Sequence, residues 1–395
     1  RFAGTYMAYL ELRPQEDVSK SFSEALGRAL ENSNAEGRYL KEKLPEMNGD
    51  INAIKDFIYA QQDAASDDQA YDAWDTIATI VDDVYGQFEI FKQPAMLNYV
   101  EKLQDYLLQT GLVGKSNALP DIVKTVHREL LLGEEKEYRI PDTQNAVAQT
   151  LITYQNSHRP NDLWHFTTPS YDKTVLWIQL KSGDNKDMNK VVEAVHTFFN
   201  QNKPPVALAH DWFGLTYINV VWQAKMVAGM MEAFLGSFVI VLVMMIFLFR
   251  SLLWGVLSMV PLTVTIAFIY GIIGIIGKDY DMPVAVLSSL SLGLAVDYSI
   301  HFLARSREAA KKCGSWKETV SVVFGEPARA IARNVIVIGI GFTPLLFAPL
   351  VPYKTVGFFI SAILLFAGVA TLIILPSLIT LMEKFLFKTS ERSSS

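Results

Sequence analysis

From residue 226 to about residue 381 the chain is dominated by apolar positions, and polar breaks cut this stretch into five runs. The runs cover residues 226–248, 252–276, 282–303, 331–350 and 356–381. A helix needs about 20 apolar residues to cross a hydrocarbon core about 30 Å thick. All five runs reach that length, so the pattern predicts five membrane-spanning helices. Gly339, Gly341 and Pro344 interrupt the fourth run. Such residues are tolerated in spans where neighbouring groups satisfy the freed backbone.

Residues 1–223 follow a different rhythm, mixing short apolar stretches with acidic surface positions. Residues 4–12 read as a strand ended by Pro14, followed by helical patterns over 16–44, stopped by Pro45, and over 51–84. This predicts a helical insert at about 14–84. A short strand is expected at 87–91 and a helix at 94–108, with Pro94 in its first turn. Residues 120–132 carry the stripe Ile122, Val123, Val126 and Leu130 of an amphipathic helix. Asp142 is placed to cap a helix from 143 to 151. A strand at 174–180, a turn at 182–185, a helix at 188–200 and a returning strand at 204–210 suggest a small split α/β unit. Residues 215–225 should run helically into the first span, which would couple the two parts mechanically.

The fold expected is therefore an α-helical membrane bundle of five transmembrane helices (226–381), preceded by an extracytoplasmic α/β domain (1–223) with a helical insertion and followed by a tail at 382–395. Composition agrees: of 395 residues 50% are hydrophobic and 19% charged, with a net charge of −6. These values argue against disorder and against nucleic-acid binding. One cysteine, Cys313, leaves no internal disulfide framework and no Cys-rich metal cluster. The acidic residues Asp63, Asp67, Asp68, Asp82 and Asp83 read as solvated surface.

Basic residues near span ends set orientation. Arg250, Arg305, Arg307, Lys311, Lys312, Lys317, Arg329, Arg333, Lys384, Lys388 and Arg392 fall on one side, against Lys278 and Lys354 on the other. The rich side should be cytoplasmic, with the C-terminus there and the N-terminal domain periplasmic. The expected location is the cell inner membrane. An outside domain needs a leading signal or span, and the sequence opens inside an apparent strand. A preceding membrane helix in a longer protein is therefore expected.

The third span carries one carboxylate. It reads Ser288-Ser-Leu-Ser-Leu-Gly-Leu-Ala-Val-Asp-Tyr-Ser-Ile-His301. A charged Asp at a bilayer centre costs about 2.5–3.5 kcal/mol on insertion scales, so such residues usually face a bundle interior and mark ion or proton paths. Leu290, Gly293, Leu294, Asp297 and His301 share one helical face. Gly293 would leave room for a helix or a water, and the Tyr298 hydroxyl could meet a carboxylate on a facing helix. Dry surroundings favour the neutral acid and contact with water lets its proton leave, which is the logic of a relay. Ser288, Ser289 and Ser291 add polarity, and Thr263, Thr265, Asn334 and Thr343 are candidate partners on other spans. The alternatives are an Asp paired to hold helices together, a His301 that only marks the cytoplasmic boundary, and a Glu232 that is interfacial rather than guarding an entry path.

Gly293-Leu-Ala-Val-Asp297-Tyr298-Ser-Ile-His301-Phe302 resembles the Gly-x-x-x-Asp-Tyr motif of the resistance-nodulation-division (RND) superfamily. The nearest branch is the MMPL-type and hydrophobe-exporter subfamily, related also to Patched-like proteins. Gly325-Glu-Pro-Ala-Arg-Ala-Ile331 is similar to that branch's cytoplasmic connection, and the likeness covers about 112–381. The resemblance implies two repeats per full chain, each with one span, an outside domain and five more spans. This sequence then looks like the C-terminal repeat without its first span. It also implies transport driven by proton flow, with Asp297 and Tyr298 at relay positions and a complementary Asp-Tyr pair in the missing N-terminal repeat. The insert at 14–84 has no place in the common pattern.

The leading expectation is thus proton-motive-force-driven export of lipids or other hydrophobic molecules. Its partners would be the cargo, protons, the missing repeat and periplasmic proteins, with no nucleic acid. Two alternatives stay open: a protein-translocation auxiliary of the same superfamily, and a sterol- or lipid-sensing receptor without transport. An enzyme is not expected. Six histidines lie without metal-ligand spacing, and no Gly-x-Ser-x-Gly or phosphate-cradling Gly-x-x-x-x-Gly-Lys-[Ser/Thr] occurs, so neither metal, cofactor nor ATP is implied.

Overall fold

The computed structural model describes residues 4–277, 282–313 and 316–386. The chain divides into two compact units, Arg1–Val220 and Val221–Ser395.

The first unit opens with β1 (Tyr6–Pro14) and then four helices, α1 (Val18–Ala29), α2 (Ala35–Met47), α3 (Ile51–Asp63) and α4 (Asp68–Gly86). Acids and amides start them. Asp17, Asn34, Asp50 and Asp67 each accept a backbone N–H of the first turn, at 2.8–3.0 Å. Their apolar stripes close a separate core from Phe22, Leu26, Leu40, Ile54, Trp74 and Ile77. These four helices occupy the stretch whose pattern is helical in the sequence. Pro45 does not end its helix, however; it lies inside α2, and the chain turns at Asn48 and Gly49, with φ of 49° and 72°. A Cβ on Gly49 would lie 2.1 Å from the Ser19 carbonyl oxygen, so glycine is required there by contact as well as by φ.

The rest of the unit comprises α5 (Pro94–Gln109), β2 (Val113–Asn117), α6 (Leu119–Leu130), α7 (Gln144–Gln155), β3 (Thr174–Leu180), α8 (Asn185–Gln201) and β4 (Leu208–Phe213). The sheet order is β2-β3-β1-β4 and every pair is antiparallel. This is the split β-α-β arrangement. Ala8, Leu10, Leu12, Leu176, Ile178 and Leu180 are buried against α5 and α8, while Tyr9, Trp177 and Phe213 make an aromatic row on the other face. Three expectations need correction. Residues 87–91 form no strand but a loop leading into a 3-10 turn at Ile90–Lys92. The return strand starts at Leu208 rather than 204, because Pro204 and Pro205 carry no N–H for a ladder. Thr143, not Asp142, caps α7, accepting the Ala146 N–H at 3.3 Å.

α9 (Leu215–Phe249) is one continuous helix, so residues 215–225 and the first apolar run do join. The second unit continues with α10 (Leu252–Ile276), α11 (Met282–Cys313), α12 (Trp316–Val323), α13 (Glu326–Gly341) and α14 (Val351–Leu381). Among the described residues, five helices are long and apolar enough to cross a membrane: Leu215–Phe249, Leu252–Ile276, Pro283–Cys313, Glu326–Phe347 and Val351–Leu381. The third runs further than its apolar stretch, carrying Arg305 to Cys313 as helix. Small residues set the packing. A Cβ on Gly255 would meet Ile246, one on Gly368 would meet Val335 at 2.3 Å, and one on Gly339 would meet Leu365 at 3.0 Å. The last two contacts run α14 antiparallel to α13.

Candidate functional site

The site is built on α11. Its apolar residues Val284, Leu287, Leu292, Ala295, Val296, Phe302 and Leu303 are buried against the bundle, chiefly against α10 and α14. Tyr298 belongs to this side: it is 1% exposed. The opposite side is different. Leu290 and Leu294 are 45% and 37% exposed, and Gly293, Asp297 and His301 are exposed with them. The face drawn from helical spacing is thus real and continuous. It is turned outward from the five-helix unit, where an interior position was expected for the acid.

Geometry explains why. Successive residues on a helix differ by about 100°, so Asp297 and Tyr298 cannot point the same way. Tyr298 shares its stripe with Ser291, Ala295 and Phe302, all buried. The Asp297 carboxylate has no hydrogen bond and no ion pair among the described residues. No Cβ contact would arise at Gly293 within 4 Å, so the surface beside the acid is open.

The candidate partners on other spans are not brought to it. Thr263 donates to the Met259 carbonyl at 2.9 Å, Thr265 to Pro261 at 2.7 Å and Thr343 to Ile340 at 2.7 Å, each within its own segment. Asn334 is exposed on α13, Glu232 is exposed on α9 and Ser289 is half-buried on α11. The side chain of Ser288 lies outside the described residues. Asp279 and Lys278 also fall outside them.

The basic residues gather at one end of the unit. The Arg307 guanidinium donates to the Phe249 carbonyl at 2.8 Å and lies over the Trp254 ring, 5.3 Å from its centroid. It ties the turn between α9 and α10 to α11. At the same end the Trp316 indole N–H donates to Thr380 Oγ1 at 2.8 Å. Arg305 pairs with Glu308 at 3.0 Å. At the other end the Tyr270 hydroxyl donates to the Val284 carbonyl at 3.2 Å. Among the described residues, the asymmetry counted along the sequence is also an asymmetry of the folded bundle. Sequence reasoning missed the Arg307 clamp; an arginine about one turn past the end of the third apolar run was its only signal.

A family model described as the MMPL family matches residues 101–395. The chain belongs to the MMPL family. The match takes in β2 to β4 and all five long apolar helices and leaves the insert outside. Membership points to a membrane transporter rather than an enzyme. A protein of Methanocaldococcus jannaschii, named only as a membrane protein, is 23% identical over 302 residues, covering 76% of this chain and 74% of its own.

Proposed function

We propose that this MMPL protein exports lipids or other hydrophobic molecules across or out of the inner membrane, driven by the proton gradient, with Asp297 as the intramembrane proton carrier. The observation that carries this reading is a carboxylate on an uncovered face of the third span, without a cationic neighbour among the described residues. A lone acid left against lipid would cost about 2.5–3.5 kcal/mol. A second helical bundle, the other repeat of the same protein, is the partner that removes this cost. It would cover Leu290, Gly293, Leu294, Asp297 and His301 and enclose the acid between two bundles. Opening that seam to water on alternate sides would load and release the proton. Tyr298, on the inner side of α11, would link the change at Asp297 to the packing of the bundle.

In this reading the basic end, with Arg250, Arg307, Lys311 and Lys312, faces the cytoplasm, and the N-terminal unit lies outside. Glu232 on the exposed side of α9 would border the path of an amphiphile. The test is export of a fluorescent lipid from inner-membrane vesicles holding the full-length protein. Export should stop when an uncoupler collapses the proton gradient and persist when ATP is withdrawn. Export indifferent to the uncoupler would overturn the proposal. Crosslinking to a nascent polypeptide in place of lipid would favour a translocation auxiliary, and ligand binding without transport a sensor.

A further inference from the structure

Hydroxyls in membrane helices commonly donate to the carbonyl one turn back, which satisfies them without a partner from elsewhere. In the second unit Ser258, Thr265, Ser377 and Thr380 do so, at 2.6–2.8 Å, and Ser291 does so to Leu287. Five hydroxyls do not: those of Tyr298, Ser299, Ser306, Ser361 and Thr371 are buried and have no hydrogen-bond partner among the described residues. The residues are between 0% and 8% exposed. All five lie on α11 and α14, which pack against each other.

Their heights along the bundle follow from the helix rise of about 1.5 Å per residue. The Trp316–Thr380 bond ties the start of α12, which follows α11, to the end of α14 at the basic end. Counting back from Cys313 at the end of α11 and from Thr380 on α14, Ser306 and Thr371 fall at similar depth, roughly 10–14 Å in. Tyr298, Ser299 and Ser361 form a second tier about 10–15 Å further. The buried ring of Phe302 lies between the tiers on α11. A dry, unpaired buried hydroxyl costs about 1–3 kcal/mol, and five on two neighbouring helices is a large total for one unit. Internal waters remove such a cost when several polar groups share a site.

We infer that the α11–α14 seam binds internal water in two tiers, one of them reaching the Tyr298 hydroxyl from the buried side of α11. The hydration stands on the hydroxyls alone. That protons use it rests on the transport reading. A bundle with both features has a wet interior seam and a separate, acid-bearing outer face on the same helix.

The chain has one cysteine to remove, so a Cys313→Ser background serves for single-cysteine probing of the full-length protein in lipid nanodiscs. Ser306→Cys, Thr371→Cys, Ser299→Cys and Ser361→Cys are treated with 2-aminoethyl methanethiosulfonate, which needs water to reach a thiolate, with Ser258→Cys as the self-bonded control. The expected result is modification at least about tenfold faster at Ser306→Cys and Thr371→Cys than at Ser258→Cys. Rates equal to the control at all four positions would overturn the proposal. A second measurement does not depend on cysteine chemistry. Thr371→Val keeps the shape and removes the hydroxyl. It should lower the thermal transition if the hydroxyl holds water, whereas a raised transition would mean a dry hydroxyl and would also overturn it.

Discussion

The two units treat their aspartates in opposite ways. In the first, Asp17, Asp50, Asp67 and Asp184 sit at helix starts and accept backbone N–H groups, while apolar residues fill two interior cores. In the second, apolar residues cover the outside as well as the inside. The most hydrophobic window of α9 is only 11% buried, against 53% for α11. Asp297 there caps nothing and pairs with nothing among the described residues. A fold needs its capping acids; it gains nothing from an acid on an apolar helix face. The contrast separates residues kept for stability from one that points to function.

Substitutions can sharpen or break that contrast. The largest expected effect is Leu10→Ala in β1, fully buried in the sheet core. It should destabilise the first unit by about 2–5 kcal/mol in denaturant unfolding. Leu294→Ala, on the exposed face of α11, should change stability by much less. Equal losses would mean that the α11 face is packed within the unit. Next comes a pair of glycines. Gly368→Leu must displace Val335, which a Cβ alone would approach to 2.3 Å, and should cost about 1–3 kcal/mol or more. Gly293→Leu meets open space in this unit, so it should leave the fold intact and impair transport by blocking the covering bundle. Unimpaired transport would remove the case for close packing there. Asp67→Ala should cost about 1 kcal/mol through the lost cap of α4, read as a lower thermal transition.

The smallest effect concerns pH. His210 in β4 is half-buried, stacks on Phe199 at 4.7 Å and faces His196 at 5.0 Å. Burial first, and then the neighbouring His196, hold its pKa below the ordinary histidine value, with Asp211 opposing. The unfolded chain therefore binds the proton more readily. Stability should be intact above about pH 6.5 and fall as the pH drops below it. His210→Gln should flatten that slope in thermal unfolding followed across the range. An unchanged slope would assign it to other groups.

Much of this was legible from residues alone. The five spans follow from unbroken apolar length, and α10 begins and ends at the residues predicted, 252 and 276. The insert followed from its helical spacing. What escaped depends on contacts. The segment Val113–Asn117 shows no strand alternation and becomes β2 only by pairing with β3. Pro45 looked like a stop, yet it is exposed on α2, where water can serve the carbonyl it leaves unpaired. At the site, spacing identified the Leu290–His301 face correctly. Spacing has no sign, though, and cannot say whether a face turns inward. Tyr298, next to Asp297 in sequence, is turned about 100° away from it and buried in the bundle.

The most direct test of the central claim is proton movement itself. The full-length protein is reconstituted in liposomes with a pH-sensitive dye inside, and proton flux is followed on adding a hydrophobic cargo. The account predicts that cargo drives proton flux in the native protein and that Asp297→Asn abolishes it while the helical content stays the same. Undiminished flux through the Asp297→Asn protein would contradict it.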